Sequence, residues 1–463
     1  MIFTSFTYIY FLTGFFILYW TIRNKTAQNI LTLVGSYLFY GWIHPWFCIL
    51  IASSTLVDYF CGLQMQKHPK KKKLYLYASL WFNLGLLGFF KYFNFFAENI
   101  HIILTQLGLQ LDPFLLQIFL PIGISFYTFQ TLSYTIDIYR GQLKPRKNLL
   151  DFAVFVSFFP QLVAGPIERA KRFLPKIENE RVFNWTFFTS AFPLLIRGYV
   201  KKMVIADNIA VYVDKVFMLE EPTFMLMMAG GLAFSIQIYA DFAAYTDIAR
   251  GSARLLGFEL VKNFNAPSLA ISPTDFWKRW HISLTSWIND YVFFTFVRWL
   301  PIRRRIKFGV ISILTMGICG LWHGAAWNFI WWGIFHGLLI VLYAYLGMGG
   351  RWKPIGVLQT FTAWSVMFSL NVFSALLFRT PNMTWLASAF STISFDFNGD
   401  SFIVALVIVC FTLIYALPFY VYAFLEKIAP TKKWVHAIVD GLSVVLIALM
   451  FREASGDFIY FQF

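Results

Sequence analysis

Residues 308–346 read FGVISILTMGICGLWHGAAWNFIWWGIFHGLLIVLYAYL, two apolar runs (308–325 and 327–346) that contain no Asp, Glu, Lys or Arg. A helix needs about 20 mostly apolar residues to cross a bilayer, and both runs approach that length. Outward from this pair, ten further runs occupy roughly 3–22, 28–42, 45–64, 74–96, 114–139, 184–205, 223–247, 357–378, 402–424 and 434–450. The composition agrees. Of 463 residues, 59% are apolar and 13% charged, against about 45–50% and about 25% in an ordinary soluble domain. With 55 Phe, 23 Tyr and 17 Trp as well, a water-soluble globule would have to expose large greasy patches. The sequence therefore predicts an all-α multi-pass membrane protein with about 11–12 transmembrane helices.

Basic residues cluster at Arg23 and Lys25, at Lys67 with Lys70 to Lys73, and at Arg140, Lys144, Arg146 and Lys147. Further clusters are Arg169 to Arg172, Arg303 to Lys307, Arg351 with Lys353, and Lys427 with Lys432 and Lys433. Positive residues stay on the cytoplasmic side. Alternate threading from an outer amino terminus puts these clusters inside and the carboxyl terminus outside. The opposite loops are acidic: 97–113 holds Glu98 and Asp112, 207–222 holds Asp207, Asp214, Glu220 and Glu221, and 380–401 holds Asp396 and Asp400. The net excess of 15 positive charges then reads as attraction to anionic lipid, not to nucleic acid.

Other features bound the architecture. Residues 150–170 are too short and too punctuated by Pro and Gly to cross and return, and 28–42 and 327–346 are marginal in length. Re-entrant or interfacial helices around a central funnel are expected there, because irregular backbone at membrane depth must be buried in protein or line a wet cavity. Cys48, Cys61, Cys319 and Cys410 are too scattered for a disulfide framework or a metal pair. Phe3–Ile22 lacks a preceding basic stretch and reads as a retained first span. With no fixed-period repeat and no long linker, residues 1–463 read as a single membrane-embedded domain.

Chemistry is expected where polar residues interrupt the apolar pattern. In Ser272–Trp299, SPTDFWKRWHISLTSWINDYVFFTFVRW, each ion at the bilayer centre would cost about 2.5–3.5 kcal/mol, so Asp275, Lys278, Arg279 and Asp290 must be paired, interfacial or wet. Ser272-Pro273-Thr274-Asp275 reads as a capped helix start. His281 would then lie about two turns in, on a face with Trp277 and Thr285. In the second strip, Leu321 to Gly337, His323 sits at membrane depth between Gly320 and Gly324, with Trp322, Trp327, Asn328 and His336 nearby. An imidazole, whose ordinary pKa is about 6.5, takes a hydroxyl proton at neutral pH. The alternative is a histidine that only hydrogen-bonds neighbouring helices. No metal is expected, since thirteen residues separate His323 from His336 and no carboxylate or Cys accompanies them. On the segment from Gln237 to Arg254, Asp241 is the functional candidate, while Asp247 with Arg250 or Arg254 reads as a structural ion pair. Walker, GxGxxG and GxSxG motifs are absent, which argues against nucleotide hydrolysis, dinucleotide redox chemistry and serine hydrolysis.

Five segments together resemble the membrane-bound O-acyltransferase (MBOAT) family: PIGISFYTFQTLSYTIDIYRG (121–141), FFPQLVAGPIER (158–169), QIYADFAAYTDIARGSARLLGFEL (237–260) with NFNAP (263–267), SPTDFWKRWHISLTSWINDYVF (272–293) and LWHGAAWNFIWWGIFHG (321–337). They make 120–340 the motif-bearing core. The nearest likeness is to the bacterial branch of alginate and peptidoglycan O-acetyltransferases and the teichoic-acid D-alanyl transfer protein. This resemblance implies an enzyme with funnels from both faces meeting near a histidine. His323 matches that residue and His281 the second histidine of the branch; the part of His336 is open. It further implies a bacterial cytoplasmic (inner) membrane location and acetyl-coenzyme A as acyl donor, with no tightly bound cofactor. An envelope polysaccharide such as alginate or peptidoglycan would be the acceptor, served by an extracytoplasmic SGNH-type acetyltransferase or esterase. Trp277, Asn289, Asp290, Trp322, Trp327, Asn328, His336 and Asp241 are expected along the substrate channel, with His281, Asn289 or a backbone N–H as the oxyanion donor.

The tail 452–463 ends in Asp457-Phe458-Ile459-Tyr460-Phe461-Gln462-Phe463, too apolar to stay in water, so it is expected to fold back into a pocket. It resembles the Phe-Ile-Tyr-Phe ending of the branch, which implies Tyr460 as an acyl carrier; an aromatic plug is the alternative. D-alanyl transfer to teichoic acid from a carrier protein remains the rival activity. Outside enzymes, a scaffold would tolerate loss of His323, and a transporter should show two matching halves, which this chain lacks.

Overall fold

The computed structural model describes the chain except for residues 110, 111, 113, 164, 351, 392, 394–398, 429–431, 452–457 and 460–463, and the side chains of 304, 305, 426, 427 and 433. Among the described residues every regular element is helical. Six of the helices among the described residues are long and apolar enough to cross a membrane: Phe47–Lys67, Phe224–Leu255, Arg304–His323, Trp327–Tyr345, Gly356–Arg379 and Asp400–Ile428. Phe6–Thr21 and Lys433–Met450 are apolar but shorter.

Several of the apolar runs carry a change of helical winding or an irregular stretch. The run at 74–96 divides into Lys72–Leu87, a π-helical turn at Gly88–Tyr92, and Phe93–Gln106. The run at 184–205 becomes Trp185–Thr189, Ala191–Tyr199 and a π segment at Val200–Ala206. Of 114–139, only Ile124–Tyr139 is helical, and 14 of its 16 residues are buried. That helix is apolar because protein surrounds it, and hydropathy does not separate this from a lipid-facing span.

The chain forms two compact units. One comprises Met1–Ala191 and Ala249–Val261, the other Phe192–Ile248 and Lys262–Phe463. In the first, the expectation for 150–170 holds: the segment is two short helices, Leu149–Ser157 and Phe159–Leu162, with Phe152, Phe155, Phe158 and Phe159 fully buried. Protein groups satisfy the break between them. The Phe159 N–H donates to Ser36 Oγ (3.1 Å), and the Gln161 amide donates to the Phe155 carbonyl (2.9 Å). Arg254 pairs with Glu259 (2.7 Å) in this unit, whereas Asp247 in the other is held by Lys201. Arg250 also reaches Glu259, at 3.4 Å.

In the second unit, Arg304–His323 and Trp327–Tyr345 form an antiparallel hairpin. A Cβ on Gly320 would collide with the carbonyl of Phe329, and one on Gly333 with the carbonyl of Met316. The small residues around the histidine thus let two backbones touch, and His323 ends its helix on the inner side of that contact.

Candidate active site

His323 is the last residue of its helix and is almost fully buried. Its imidazole meets three rings nearly edge-on: Trp322 at 4.8 Å, Trp332 at 5.0 Å and Phe378 at 5.4 Å between centroids. Trp332 also contacts His336 at 4.8 Å, and Trp322 lies 6.2 Å from the ring of His281. Indoles thus stand beside each histidine. His336 is tied down separately: its Nε2 lies 2.7 Å from Ser374 Oγ, which also accepts the Trp332 indole N–H at 2.8 Å. Its ring stacks on Phe276 and meets Trp277 at 5.1 Å. The indole N–H of Trp277 is buried with no hydrogen-bond partner among the described residues, so it is a donor available to a ligand.

Beside these rings is a small cavity of about 70 Å³, walled by Phe234, Ile238, Phe276, Trp280, Trp332 and Phe378. Ser235, Asn371 and Ser374 supply its polar rim. The side-chain oxygen of Asn371 is buried without a partner among the described residues, which adds an acceptor to the Trp277 donor. Such space holds a group of a few heavy atoms.

His281 occupies a different setting from the one its spacing suggests. The helix starts as expected, Ser272 Oγ accepting the Asp275 N–H at 3.2 Å, but it spans only Pro273–Arg279. It stops because 279–282 pairs with 263–265: the Asn265 N–H donates to the Arg279 carbonyl and the Ile282 N–H to the Asn263 carbonyl, both at 2.9 Å. His281 is left in a left-handed conformation (φ 41°), costly for a residue with a Cβ. Asn263 holds it there. Its Oδ1 accepts from the Ser283 N–H (3.1 Å) and Ser283 hydroxyl (2.9 Å), so the His281 Nδ1 at 3.2 Å is the protonated nitrogen. Nε2 then carries the lone pair. Complete burial pushes the His281 pKa down to about 3, which keeps the ring neutral at ordinary pH.

Of the residues expected from sequence, the structure gathers His281, His323, His336, Trp277 and Trp322. Asn328 sits at the edge, its amide donating to the Phe378 carbonyl at 3.1 Å. Trp327 is half exposed, and Asn289 and Asp290 are exposed on a π-helical turn at Asn289–Phe293. Asp275 and Arg279 pair at 2.9 Å, and Lys278 donates to the Gly350 carbonyl. Asp241 belongs to a separate cluster: Lys202 lies 2.9 Å from both Asp241 and Asp207, and the Ile459 N–H donates to Asp241 at 2.7 Å. Tyr460 lies outside the described residues, but Phe458 and Ile459 are buried, as expected of an aromatic tail that leaves water. Phe378, Ser374 and Asn371 had no signal of their own in the sequence; Asn263 and Trp332 lay inside the segments NFNAP and LWHGAAWNFIWWGIFHG without being singled out.

A multi-pass helical protein that buries a histidine among indole rings, beside a small cavity with a polar rim, has the parts of a membrane-embedded acyltransferase. The chain belongs to the membrane-bound O-acyltransferase family, whose model matches residues 142–376. It is 36% identical over 392 residues to a probable alginate O-acetylase of Pseudomonas putida, covering 83% of this chain and 78% of the relative. It is 31% identical over 405 residues to a peptidoglycan O-acetyltransferase of Helicobacter pylori (80% and 74% covered). A teichoic acid D-alanyltransferase of Bacillus subtilis is 30% identical over 276 residues (56% and 68%). The histidines, Trp277, Trp332 and Asn371 all fall inside the family match.

Proposed function

We propose that this enzyme takes acetyl from acetyl-coenzyme A at the cytoplasmic face of a bacterial inner membrane and passes it across for O-acetylation of an extracytoplasmic polysaccharide. Alginate and peptidoglycan are the acceptor types named among its relatives. An SGNH-type transferase outside the membrane completes the delivery, and both termini face that side. The observation that carries the reading is the setting of His323, at the end of a close-packed hairpin and walled by Trp322, Trp332 and Phe378.

In the transfer step His323 removes the proton of an acceptor hydroxyl as its oxygen attacks the thioester carbonyl. The new C–O bond forms, the C–S bond breaks, and the thiolate leaves with the proton the imidazole had taken. A nearby N–H donor such as Trp277 stabilises the charge that develops on the carbonyl oxygen; neutral His281, expected as that donor, spends its N–H on Asn263 and presents only a lone pair at Nε2. The tail tyrosine, Tyr460, receives the acetyl first; a phenol, with a pKa near 10, is a better leaving group than a sugar hydroxyl, so onward transfer is downhill. The small cavity suits a two-carbon acyl group. The acetyl-transferring relatives also match far more of the chain than the D-alanyl relative does.

The test uses membrane vesicles given acetyl-labelled coenzyme A. Wild type should carry label on the protein and pass it to an added glycan acceptor. His323→Ala should do neither at unchanged protein level, and Tyr460→Phe should lose the adduct. Full glycan labelling by His323→Ala would overturn the reading in favour of a scaffold. Labelling from a D-alanyl carrier protein and not from acetyl-coenzyme A would replace the donor.

A further inference from the structure

The second buried polar group of this unit lies where Asp241 and Phe242 follow one another on the Phe224–Leu255 helix. Lys202, almost fully buried, is shared by two carboxylates, Asp207 Oδ1 and Asp241 Oδ1, each at 2.9 Å. One carboxylate is enough to neutralise one ammonium. The second has an oxygen to spare, and Asp241 Oδ2 accepts the backbone N–H of Ile459 at 2.7 Å. On the same side, the ring of Phe458 packs at 4.1 Å from Tyr245 and 5.6 Å from Phe242. Phe242 also meets His281, ring to ring at 4.6 Å and nearly edge-on.

We propose that Asp241, oriented by Lys202, is a clasp that seats the carboxyl-terminal segment against the wall supporting His281. It is a positioning residue. The hydrogen bond reads backbone, so it holds the chain whatever side chain stands at 459, while the notch between Phe242 and Tyr245 takes the ring of Phe458 and sets the register. A slip of one residue would carry Phe458 out of that notch. Because Phe242 touches both Phe458 and His281, seating the tail also buttresses a histidine whose left-handed backbone is held from the other side by Asn263. A purely structural ion pair would need only Lys202 and Asp207; the additional carboxylate is the one that meets the tail. The purpose given to the clasp rests on the acyl-transfer reading, but its existence does not.

Hydrogen–deuterium exchange of the full chain in lipid nanodiscs, read by mass spectrometry on the carboxyl-terminal peptide, tests the seat directly. In wild type the amides at 458 and 459 should be protected. Asp241→Ala should exchange there about tenfold faster or more, with peptides of the Arg304–Tyr345 hairpin unchanged. Asp241→Asn, whose amide oxygen still accepts, should fall between the two. Ile459→Pro removes the donor from the tail side, leaving Lys202, Asp207 and Asp241 unaltered, and should loosen the Phe458 amide in the same way, which keeps the test available if Asp241→Ala does not fold. Tail exchange in Asp241→Ala equal to wild type, or an unprotected tail in wild type, would overturn the clasp. Tyr460→Phe separates the two proposals, since it should keep tail protection whether or not Tyr460 carries acetyl.

Discussion

The pocket of His323 and the clasp of Asp241 lie in one compact unit and solve the same problem, a polar side chain out of water, in opposite ways. Around His323 the partners are ring edges: two tryptophans and a phenylalanine. Around Asp241 they are full charges and a hydrogen bond, with Lys202 between two carboxylates and a backbone N–H on the remaining oxygen. A carboxylate in low dielectric needs a countercharge, and once paired its lone pairs are committed to holding structure. An imidazole needs no countercharge when neutral, so it can be buried among indoles and keep proton-transfer capacity for a substrate. The difference separates a group placed to react from one placed to hold.

Five substitutions break or sharpen that contrast. His323→Ala should lower acetyl transfer by about 10²–10⁴-fold, the usual contribution of a positioned acid–base group, while thermal unfolding in detergent changes little. Near-wild-type turnover would place the chemistry elsewhere. Lys202→Met should act the other way round. Leaving two buried carboxylates without their cation should cost about 3–5 kcal/mol of stability, and Asp241→Asn, which preserves the Lys202–Asp207 pair, should cost much less; equal losses would show that the clasp does not depend on its charges.

Gly333→Ala tests the hairpin that delivers His323. Its new methyl would run into the Met316 carbonyl, and the forced separation should destabilise by about 1–3 kcal/mol, seen as a lower melting temperature. An unchanged melting temperature would mean that the backbones do not meet there. The smallest effect is expected at His281, as a pH dependence. Folded His281 stays neutral down to about pH 3, whereas in the unfolded chain an imidazole takes up its proton below about pH 6.5. Between those values the unfolded state binds more protons, so the contribution of His281 to stability is present above about pH 6.5 and is lost as pH falls towards about 3. Asn is suited to the left-handed backbone and keeps a side-chain N–H for Asn263. His281→Asn should therefore fold and show a flatter loss of melting temperature below pH 6.5; the wild-type slope in the variant would assign that dependence to other groups.

Much of this contrast was visible in the residue order, in unequal measure. The cap at Ser272, the burial of the short helices Leu149–Ser157 and Phe159–Leu162 and the burial of Phe458 and Ile459 follow from local pattern, whereas the meeting of His281, His323, Trp277 and Trp322 was implied by the family resemblance and not by spacing. The change of winding at a π-helical turn such as Gly88–Tyr92 does not follow from local pattern, because it leaves the hydropathy of an apolar run unchanged. Nor did spacing locate His281, since a helix that stops at Arg279 is stopped by pairing with 263–265, a segment outside its own periodicity. Asn289 and Asp290 sat in the right strip and ended exposed on a π turn.

The sequence by itself determined the solvent, the helical class, the family and the identity of the histidine that ends the Arg304–His323 helix. These depend on composition and on residues close together in the chain, where the energetics are local: hydrophobic transfer, capping, and glycine contact between adjacent helices. Only the tertiary structure decided which rings enclose that histidine, that Asn263 selects the protonated nitrogen of His281, and that Lys202 and Asp241, 39 residues apart, meet the chain end at Ile459. Those contacts join segments far apart in sequence, and a side chain's periodicity carries no record of the distant group whose charge or hydrogen bond it will satisfy.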